Sequence, residues 1–463
     1  MRRKPGSRRA SLRVLAGLGL ATGLAMPGHG QVLLEQNFPT VNLGFQSDYL
    51  RRGSGYGQLP ETTNQTVTAT GVTVLTRPHP EYDPLGARYR DITATAGATE
   101  GIGYDSNPLG FSNSVGSAFL STQANLNVAN DRERSGLAAG MTVQDLRYFD
   151  LPEVNHTDWT ATITGHYDVE RGRIDAGYTH LNLNLLPTSI QTTGQNRVIP
   201  YTDDIFVLRY AVPLGRFTVI PQATYSIYRF GQSLGLGGTT GLGGTTIAAA
   251  NGFDETINDR NELTVGTTVE YEFSPGANAV VVARGTKAGF TNNPIGGPGQ
   301  DYGDVQVLAG LDVQTQGKFR YRALVGYEER SYSDSRNQQQ STPIFEGQVI
   351  WTPTQLTTLT GTVSRTIEYS LDGTATNFIY TTGRLQVDHE IRRNVILTGF
   401  GQVQNADYQP SGSANLYDAG LSLTYKLNRH ASLLGTYEYL NRDSKTFNSY
   451  RENVVLLNLR LDL

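Results

Sequence analysis

The sequence predicts an all-β protein, a transmembrane antiparallel up-and-down β-barrel of about 18 strands, with 16 or 20 strands as alternatives. Three observations support this fold class. From Asp91 to the end of the chain, segments of about ten residues alternate apolar and polar side chains. Short and long connections alternate between these segments, and aromatic residues recur near the segment ends.

The composition fits strands that have one polar face. The 463 residues include 52 glycine, 25 tyrosine and 16 phenylalanine, but 3 methionine and no cysteine. A mean hydropathy of −0.35 is too polar for a helical membrane protein, and this much tyrosine is unusual in a disordered chain. The formal net charge of −4 gives no strongly basic surface, so nucleic acid is not an expected partner.

The amino terminus resembles a secretory signal peptide over residues 1–30. Residues 1–13 are rich in arginine, residues 14–25 form a short apolar run, and a Gly-His-Gly stretch precedes the expected start of the mature chain at Gln31. An arginine pair in the first stretch also fits twin-arginine export, although a barrel with an apolar belt cannot fold before export. No later stretch approaches ~18 uninterrupted apolar residues, so no transmembrane helix is expected.

Three segments show the alternation most clearly. In residues 159–169 and 262–273, every second side chain is apolar or small and the side chains between them are polar. In the last segment, 453–463, valine and leucine alternate with Asn458, Arg460 and Asp462. Successive side chains of a strand point to opposite faces, so one face is expected to meet lipid and the other water.

The connections separate a membrane barrel from a soluble sandwich. Outer-membrane barrels join strands by short periplasmic turns and longer external loops. The short connections hold turn-favouring residues and lie at 170–172, 213–215, 274–277, 316–317, 353–354 and 428–429. The long ones lie at about 184–202, 230–260, 289–302, 332–342, 405–414 and 442–451. Counting back from the end places the first strand at 91–104 and both termini in the periplasm.

Aromatic side chains are expected to form a girdle at each membrane interface, where their rings prefer the headgroup layer. The girdle next to the short turns comprises Tyr167, Phe217, Phe273, Phe319, Trp351 and Tyr425. The girdle next to the long loops comprises Trp159, Tyr178, Phe206, Tyr225, Tyr437 and Tyr439.

The sequence divides the mature chain into two parts. Residues 91–463 form the barrel, whereas residues 31–90 alternate poorly and hold several prolines. We interpret 31–90 as a periplasmic extension or partial plug, with two extra strands as the alternative. A tandem Gly-Leu-Gly-Gly-Thr-Thr repeat at 235–246 is typical of an external loop tip.

Two motifs resemble those of a known family. The first is the stretch Arg-Pro-His-Pro-Glu-Tyr-Asp-Pro-Leu-Gly at 77–86, and the second is Gly-Tyr-Asp-Ser-Asn at 103–107. Together they resemble the Putative beta-barrel porin 2 family, although Ser106 replaces an acidic residue of the family's pattern. The resemblance covers about residues 77–463. It implies an outer-membrane, porin-like protein and an association with exopolysaccharide synthesis and export.

The search for chemistry predicts no catalytic, cofactor or metal site. The histidines are scattered over separate hairpins, without the spacing of metal ligands. The nearest enzyme parallel is the outer-membrane phospholipase, in which a histidine precedes a serine nucleophile by two residues. His180 is followed two residues later by Asn182, which has no hydroxyl to activate. A barrel hydrolase is therefore the third functional hypothesis.

The inward faces of the strands carry charged residues that are expected to line a pore. The candidate pore-lining residues are Lys318, Arg320, Arg322, Glu328, Arg330, Glu270, Glu272 and Asp312. Other inward charges are Glu262, Asp304, Arg173, Asp175, Arg384, Asp388, Arg460 and Asp462. Opposed rows of acid and base would select polar solutes, as charged rings do in channels, or the charges would neutralise one another in a wet interior.

The leading functional hypothesis is a porin-like channel for passive passage of hydrophilic solutes, linked to exopolysaccharide export. The second is a plugged structural barrel that serves as a docking platform in an envelope polysaccharide assembly. The expected partners are outer-membrane lipid, hydrophilic solutes or polysaccharide, and the barrel-assembly machinery during biogenesis. The sequence leaves the oligomeric state open.

Overall fold

The protein is a closed antiparallel β-barrel. The computed structural model describes residues 73–113, 115–132, 134–190, 198–233, 253–292, 297–313, 318–371, 375–408, 411–445 and 447–463. The predicted signal peptide, most of the predicted extension and the tandem repeat at 235–246 lie outside these residues. Among the described residues, no helix is long and apolar enough to cross a bilayer.

Nineteen strands form one sheet, and eighteen of them make the wall of the barrel. The wall strands are β2 (Ile92–Asp105), β3 (Ser117–Arg132), β4 (Ser135–Tyr148), β5 (His156–Val169), β6 (Gly172–Leu185), β7 (Ile199–Leu214), β8 (Phe217–Phe230), β11 (Arg260–Ser274), β12 (Ala277–Phe290), β13 (Tyr302–Val313), β14 (Phe319–Tyr332), β15 (Gln340–Thr354), β16 (Thr357–Tyr369), β17 (Asn377–Arg392), β18 (Val395–Tyr408), β19 (Gly412–Lys426), β20 (Ala431–Ser444) and β21 (Tyr450–Asp462).

The ring closes where the first wall strand meets the last. Strand β2 pairs with β21 from Gly97↔Asp462 to Asp105↔Val454, and each other wall strand pairs with its neighbours in chain order. The short strand β1 (Ala87–Tyr89) pairs with the start of β2, beyond the end of β21. Strands β9 (Gln232–Ser233) and β10 (Phe253–Asp254) form a separate two-stranded ribbon. Closure removes the unpaired edges that a membrane cannot solvate, and it confirms the predicted 18 strands.

The two faces of the wall differ as the alternation predicts. In β21, the inward residues Val454, Leu456 and Asn458 are buried, while Val455 and Leu457 are exposed. The same outward exposure of apolar side chains recurs around the ring, at Val305, Val325, Leu385 and Leu421 among others. An apolar belt of this extent is typical of a lipid-facing surface.

Members of both predicted girdles lie on the outward face. Phe217 packs on Tyr271 at the short-turn end, with ring centroids 4.9 Å apart. Tyr178 packs on Phe206 at the long-loop end, also at 4.9 Å. These cross-strand pairs add to the apolar burial that holds neighbouring strands together.

The connections alternate between short turns and longer loops, with one exception. Strands β18 and β19 end and begin at Tyr408 and Gly412, so the prediction of a long loop at about 405–414 was wrong. The pairs from Asn405↔Asn415 to Tyr408↔Gly412 continue the ladder almost to the tip. Continuous pairing satisfies backbone groups that a loop would leave to water.

The described part of the amino-terminal segment, residues 73–86, lies against the inner wall at the short-turn end. The Val74 N–H donates to the Thr358 hydroxyl at 2.9 Å, and Arg77 pairs with Glu390 at 3.2 Å. Asp83 pairs with Lys426 at 2.8 Å. The Gly86 N–H donates to the carbonyl of Leu463, so the segment reaches the last residue of the chain.

Candidate functional site: the barrel lumen

The lumen is the candidate functional site because it collects most of the buried charges of the described residues. Eighteen-strand barrels are wide enough to hold an aqueous channel, so inward polar side chains meet solute rather than core. Here many of them are nevertheless buried, because elements that fold inward from both ends cover them.

The predicted row of charges on β14 falls into two groups. Arg320 and Arg322 lie near the short turns, and Glu328 and Arg330 lie near the long loops. The inward positions between the groups are Leu324, which is fully buried, and Gly326. At about 3.3 Å per residue, Arg322 and Arg330 are about 26 Å apart along the strand.

Two predicted pore-lining residues lie at the short turns instead of along the lumen. Lys318 precedes β14, is exposed, and donates from Nζ to the Pro353 carbonyl at 2.9 Å. Glu272 is exposed near the end of β11, where its Oε1 accepts from the Gly276 N–H at 3.2 Å. Both side chains therefore have a local structural contact at the mouth.

The first group of charges surrounds Arg322. Its Nη1 lies 3.1 Å from Asp312 Oδ2 on the neighbouring strand β13. Glu270 on β11 lies within electrostatic range of both side chains and of Arg209. Arg209 in turn pairs with Asp175 at 3.3 Å, and Asp175 also binds Arg173. This belt brings acids and bases together around about a third of the ring.

The second group surrounds two deeply buried arginines near the long loops. Arg330 binds Asp304 at 3.1 Å and lies 3.9 Å from Glu328. Arg260 has no exposed surface and binds Glu262 at 2.6 Å. Its guanidinium also lies over the rings of Tyr228 and Tyr369, at 4.1 and 4.5 Å. Stacking and pairing together offset the cost of burying this cation.

The tip of the β16–β17 hairpin bends away from the wall into the lumen. Pairing of β15 with β16 stops at Phe345↔Arg365, although β15 begins at Gln340. Beyond that point β14 side chains replace the missing ladder: Ile367 N–H donates to Glu328 at 3.0 Å, and Arg330 donates to the Ile367 carbonyl at 2.8 Å. The period-2 pattern of β16 gives no signal of this bend.

The bent tip reaches another part of the ring. The Tyr369 hydroxyl donates to Asn258 Oδ1 at 2.8 Å and lies 3.2 Å from Gln300 Oε1; these two residues come just before β11 and β13. The tip therefore narrows the lumen at the long-loop end.

A second element crosses the lumen from the β6–β7 connection. Thr188, Ser189 and Ile190 are fully buried. Arg442 on β20 donates to the carbonyls of Pro187 and Ser189. The Tyr450 and Tyr408 hydroxyls donate to the carbonyls of Thr188 and Ile190, at 2.5 and 2.9 Å. We name residues 187–190 the crossing loop.

The other predicted inward charges form local pairs rather than opposed rows. Arg460 binds Asp462 on the same strand at 2.7 Å. Arg384 donates to Gln386 at 3.1 Å, and Gln386 donates to Asp388 at 3.2 Å. Adjacent pairing neutralises charge within the wall and leaves little transverse field.

Histidines do not build a metal site in the described part of the chain, where no three His, Cys, Asp or Glu side chains group as metal ligands. His180 faces outward, where its Nδ1 lies 2.7 Å from Asp204 and its ring packs on Trp159 at 4.7 Å. No serine hydroxyl of the described residues bonds to it. The contact that a hydrolase nucleophile would need is therefore not made by these residues.

Comparison of the sequence with protein-family models assigns the chain to a family. The model of the family described as Putative beta-barrel porin 2 matches residues 79–463. No curated protein matches the chain.

Solved structures that resemble the chain include outer membrane protein OpdK from Pseudomonas aeruginosa, at 11% identity and a TM-score of 0.43, covering 80% of this chain and 99% of that one. A BenF-like porin from Pseudomonas fluorescens Pf-5 is 12% identical with a TM-score of 0.44, covering 81% and 99%. The ferric-catecholate import receptor Fiu from E. coli K12 is 8% identical with a TM-score of 0.41, covering 80% and 81%.

Proposed function

Because the chain belongs to the Putative beta-barrel porin 2 family and is an outer-membrane β-barrel, we propose that it is a channel for passive passage of hydrophilic solutes. The observation that carries this proposal is the contrast between an apolar outer face and an inner face of paired charges within a closed wall. The polar inner face of such a wall can form hydrogen bonds and ionic contacts with hydrophilic solutes, whereas apolar solutes gain no favourable contacts there.

We assign the selective part of the passage to the belt around Arg322. Its side chain is 15% exposed and that of Asp312 is 10% exposed, so both have some access to water. Arg320 and Glu270, which are only partly buried, extend the belt on neighbouring strands. The charged residues near the long loops, such as Arg260 and Arg330, are more deeply buried. In this proposal they mainly stabilise the narrowed end of the lumen.

The proposal places both termini in the periplasm, with residues 31–90 as a partial plug at that side. It is supported by the contacts of residues 73–86 with Thr358, Glu390 and Lys426 inside the short-turn end. Outer-membrane barrels carry their short turns on the periplasmic side, which gives the direction of the chain.

Single-channel recording in planar bilayers tests the channel. The folded protein should give stable open steps, and Arg320→Gln/Arg322→Gln should shift the reversal potential in a salt gradient toward cation preference. The matched control is Arg451→Gln, which removes an exposed arginine of β21. Silence from correctly folded protein would contradict an open channel.

A second candidate function is a plugged barrel that serves as a docking platform. The specific observation in its favour is that elements narrow the lumen from both ends: residues 73–86, the crossing loop and the β16–β17 tip. Such a barrel should be silent as the full chain and conduct only after removal of residues 31–90. Stable conductance of the full chain would favour the open channel.

The association with exopolysaccharide export stays a prediction that rests on the family resemblance alone. Its test is the liposome-swelling rate with neutral oligosaccharides of increasing length. A channel for such chains should admit them with a sharp size limit, whereas swelling with salts and not with any sugar would contradict the association.

A further inference from the structure

A cavity inside the barrel holds a carboxylate that lacks a partner. It lies near the long loops and is lined by three carboxylates, Glu262, Asp304 and Glu368, and by the guanidiniums of Arg284 and Arg330. Hydroxyl and amide groups of Thr264, Thr286 and Gln306 complete much of the lining. All these groups bind polar or charged ligands rather than apolar ones.

The three most deeply buried arginines around the cavity are each bound to a carboxylate other than Glu368. Arg284 binds Glu346 at 2.6 Å, Arg330 binds Asp304 at 3.1 Å, and Arg260 binds Glu262 at 2.6 Å. Glu262 also accepts from the Tyr302 hydroxyl at 3.0 Å, and Glu328 is held by Thr366 and by the Ile367 N–H. Each of these arginines thus already has a carboxylate partner, and none of those partners is Glu368.

The Glu368 side chain is 3% exposed and lines the cavity. Among the described residues, none makes a hydrogen bond or an ion pair with its carboxylate, and Arg330 and Arg260 act on it only at longer range. An isolated buried carboxylate is costly and is stabilised by a cation that reaches it. The inward bend of β16 is what carries this residue out of the wall and over the cavity.

We propose that Glu368 binds the ammonium group of a small hydrophilic solute in this cavity. The inference rests on the proposed function, because the solute must enter the lumen to reach the site. The expected solutes are amines that also carry hydroxyl groups, and these hydroxyls would form hydrogen bonds with Thr264, Thr286 and Gln306. Charge-assisted hydrogen bonds to one carboxylate give the ammonium its preference over a neutral group.

The test compares two probes that differ by one group, ethanolamine and ethylene glycol, by calorimetry on the folded full chain in detergent. Wild type should bind ethanolamine and show little affinity for ethylene glycol. Glu368→Gln should weaken ethanolamine binding about tenfold or more, as expected for a lost charged hydrogen bond, with ethylene glycol unchanged. Glu368→Asp should keep part of the affinity, because it keeps the charge.

Glu329→Gln is the matched control, because it removes the same charge at the same height on the exposed outer face. It should bind ethanolamine like wild type. Heat-modifiable gel mobility verifies that each variant is folded. Equal ethanolamine affinity in wild type and folded Glu368→Gln, or a wild type that does not distinguish the two probes, would overturn the inference.

Binding in detergent and conductance in bilayers separate this inference from the proposed function. A barrel that conducts but does not prefer ethanolamine overturns the cation site and leaves the channel. A barrel that binds ethanolamine but never conducts supports the site and contradicts the channel.

Discussion

The Nζ of Lys426 lies 2.8 Å from Oδ1 of Asp83, and both side chains are almost completely buried. The two residues are 343 positions apart in the chain, so the pair joins the amino-terminal segment to the wall of the barrel. Its neighbours are the His79 imidazole and Glu390, whose Nε2 and Oε2 lie 3.2 Å apart. Residues 73–86 are therefore tethered by charge inside the short-turn end.

Removal of the lysine should destabilise the barrel strongly. Lys426→Met leaves the Asp83 carboxylate buried without its cation, and breaking a buried pair in this way costs about 3–5 kcal/mol. The double variant Asp83→Leu/Lys426→Met should recover much of the loss. Urea unfolding in lipid vesicles measures both. Lys445→Met, at an exposed lysine, is the control, and equal stability of the two single variants would contradict the tether.

Arg260 should be among the most sensitive positions in the lumen. Arg260→Ala removes a fully buried guanidinium and leaves Glu262 without the partner at 2.6 Å. We expect a loss of about 3–5 kcal/mol in the free energy of unfolding, against less than about 0.5 kcal/mol for the exposed Arg451→Ala. A small effect at Arg260 would show that the mouth is open to water there.

The two groups of charges on β14 should respond differently to neutralisation. Arg322→Gln should change ion preference with little loss of stability, because its side chain is partly exposed to the lumen. Arg330→Gln should mainly destabilise, because it unpairs Asp304 and releases the Ile367 carbonyl. Reversal potentials and unfolding curves should be measured for both variants: the larger change in reversal potential is expected for Arg322→Gln, and the larger loss of stability for Arg330→Gln. If both variants lost stability and changed ion preference equally, the two groups of charges would not differ in role.

The crossing loop should limit conductance. Tyr450→Phe removes the hydrogen bond to the Thr188 carbonyl, a loss of about 1 kcal/mol that should raise the frequency of larger open steps. Tyr437→Phe removes a hydroxyl contact to Asn453 on the outer face and should leave the steps unchanged. Identical recordings from both variants would mean that the loop stays in place without this bond.

The tie between two of the long loops, at Gly299 and Asp334, should survive mild acid. Arg336 first, and then the backbone N–H groups of Arg336 and Gly299, hold the pKa of Asp334 below its usual range. The ionised Asp334 carboxylate is the form that accepts these hydrogen bonds. Its contribution to stability is therefore complete above the ordinary pKa of an aspartate, and it is lost only as the pH falls through the lower pKa of the folded state.

The Gly299 amide resonance reports on this tie, because its N–H donates to Asp334 at 2.8 Å. Its chemical shift should stay constant from neutral pH down to about pH 4. In Asp334→Asn the resonance should differ from wild type at every pH. A midpoint near that of an unperturbed aspartate would contradict the assignment.

The sequence by itself determined the architecture, because its signals are local. Alternation with a period of two assigns the outward face at Val455 and Leu457 and the inward face at Arg322 and Arg330, and turn residues mark where each hairpin reverses. Because each strand pairs with the next one along the chain, counting the strands and turns in the sequence is enough to predict a barrel of 18 strands. The sequence placed a long loop at about 405–414, because turn-favouring residues cluster there, whereas the ladder of β18 and β19 continues to Tyr408↔Gly412.

Only the tertiary structure decided how the lumen is filled. Alternation tells which face a side chain takes, but not whether Arg330 meets Asp304 on the next strand or a charge across the pore. It gave no sign that β16 leaves the wall after Arg365, or that Arg442 holds the crossing loop. These contacts join residues far apart in the chain, and they form because buried polar groups must find partners wherever the closed wall brings them together.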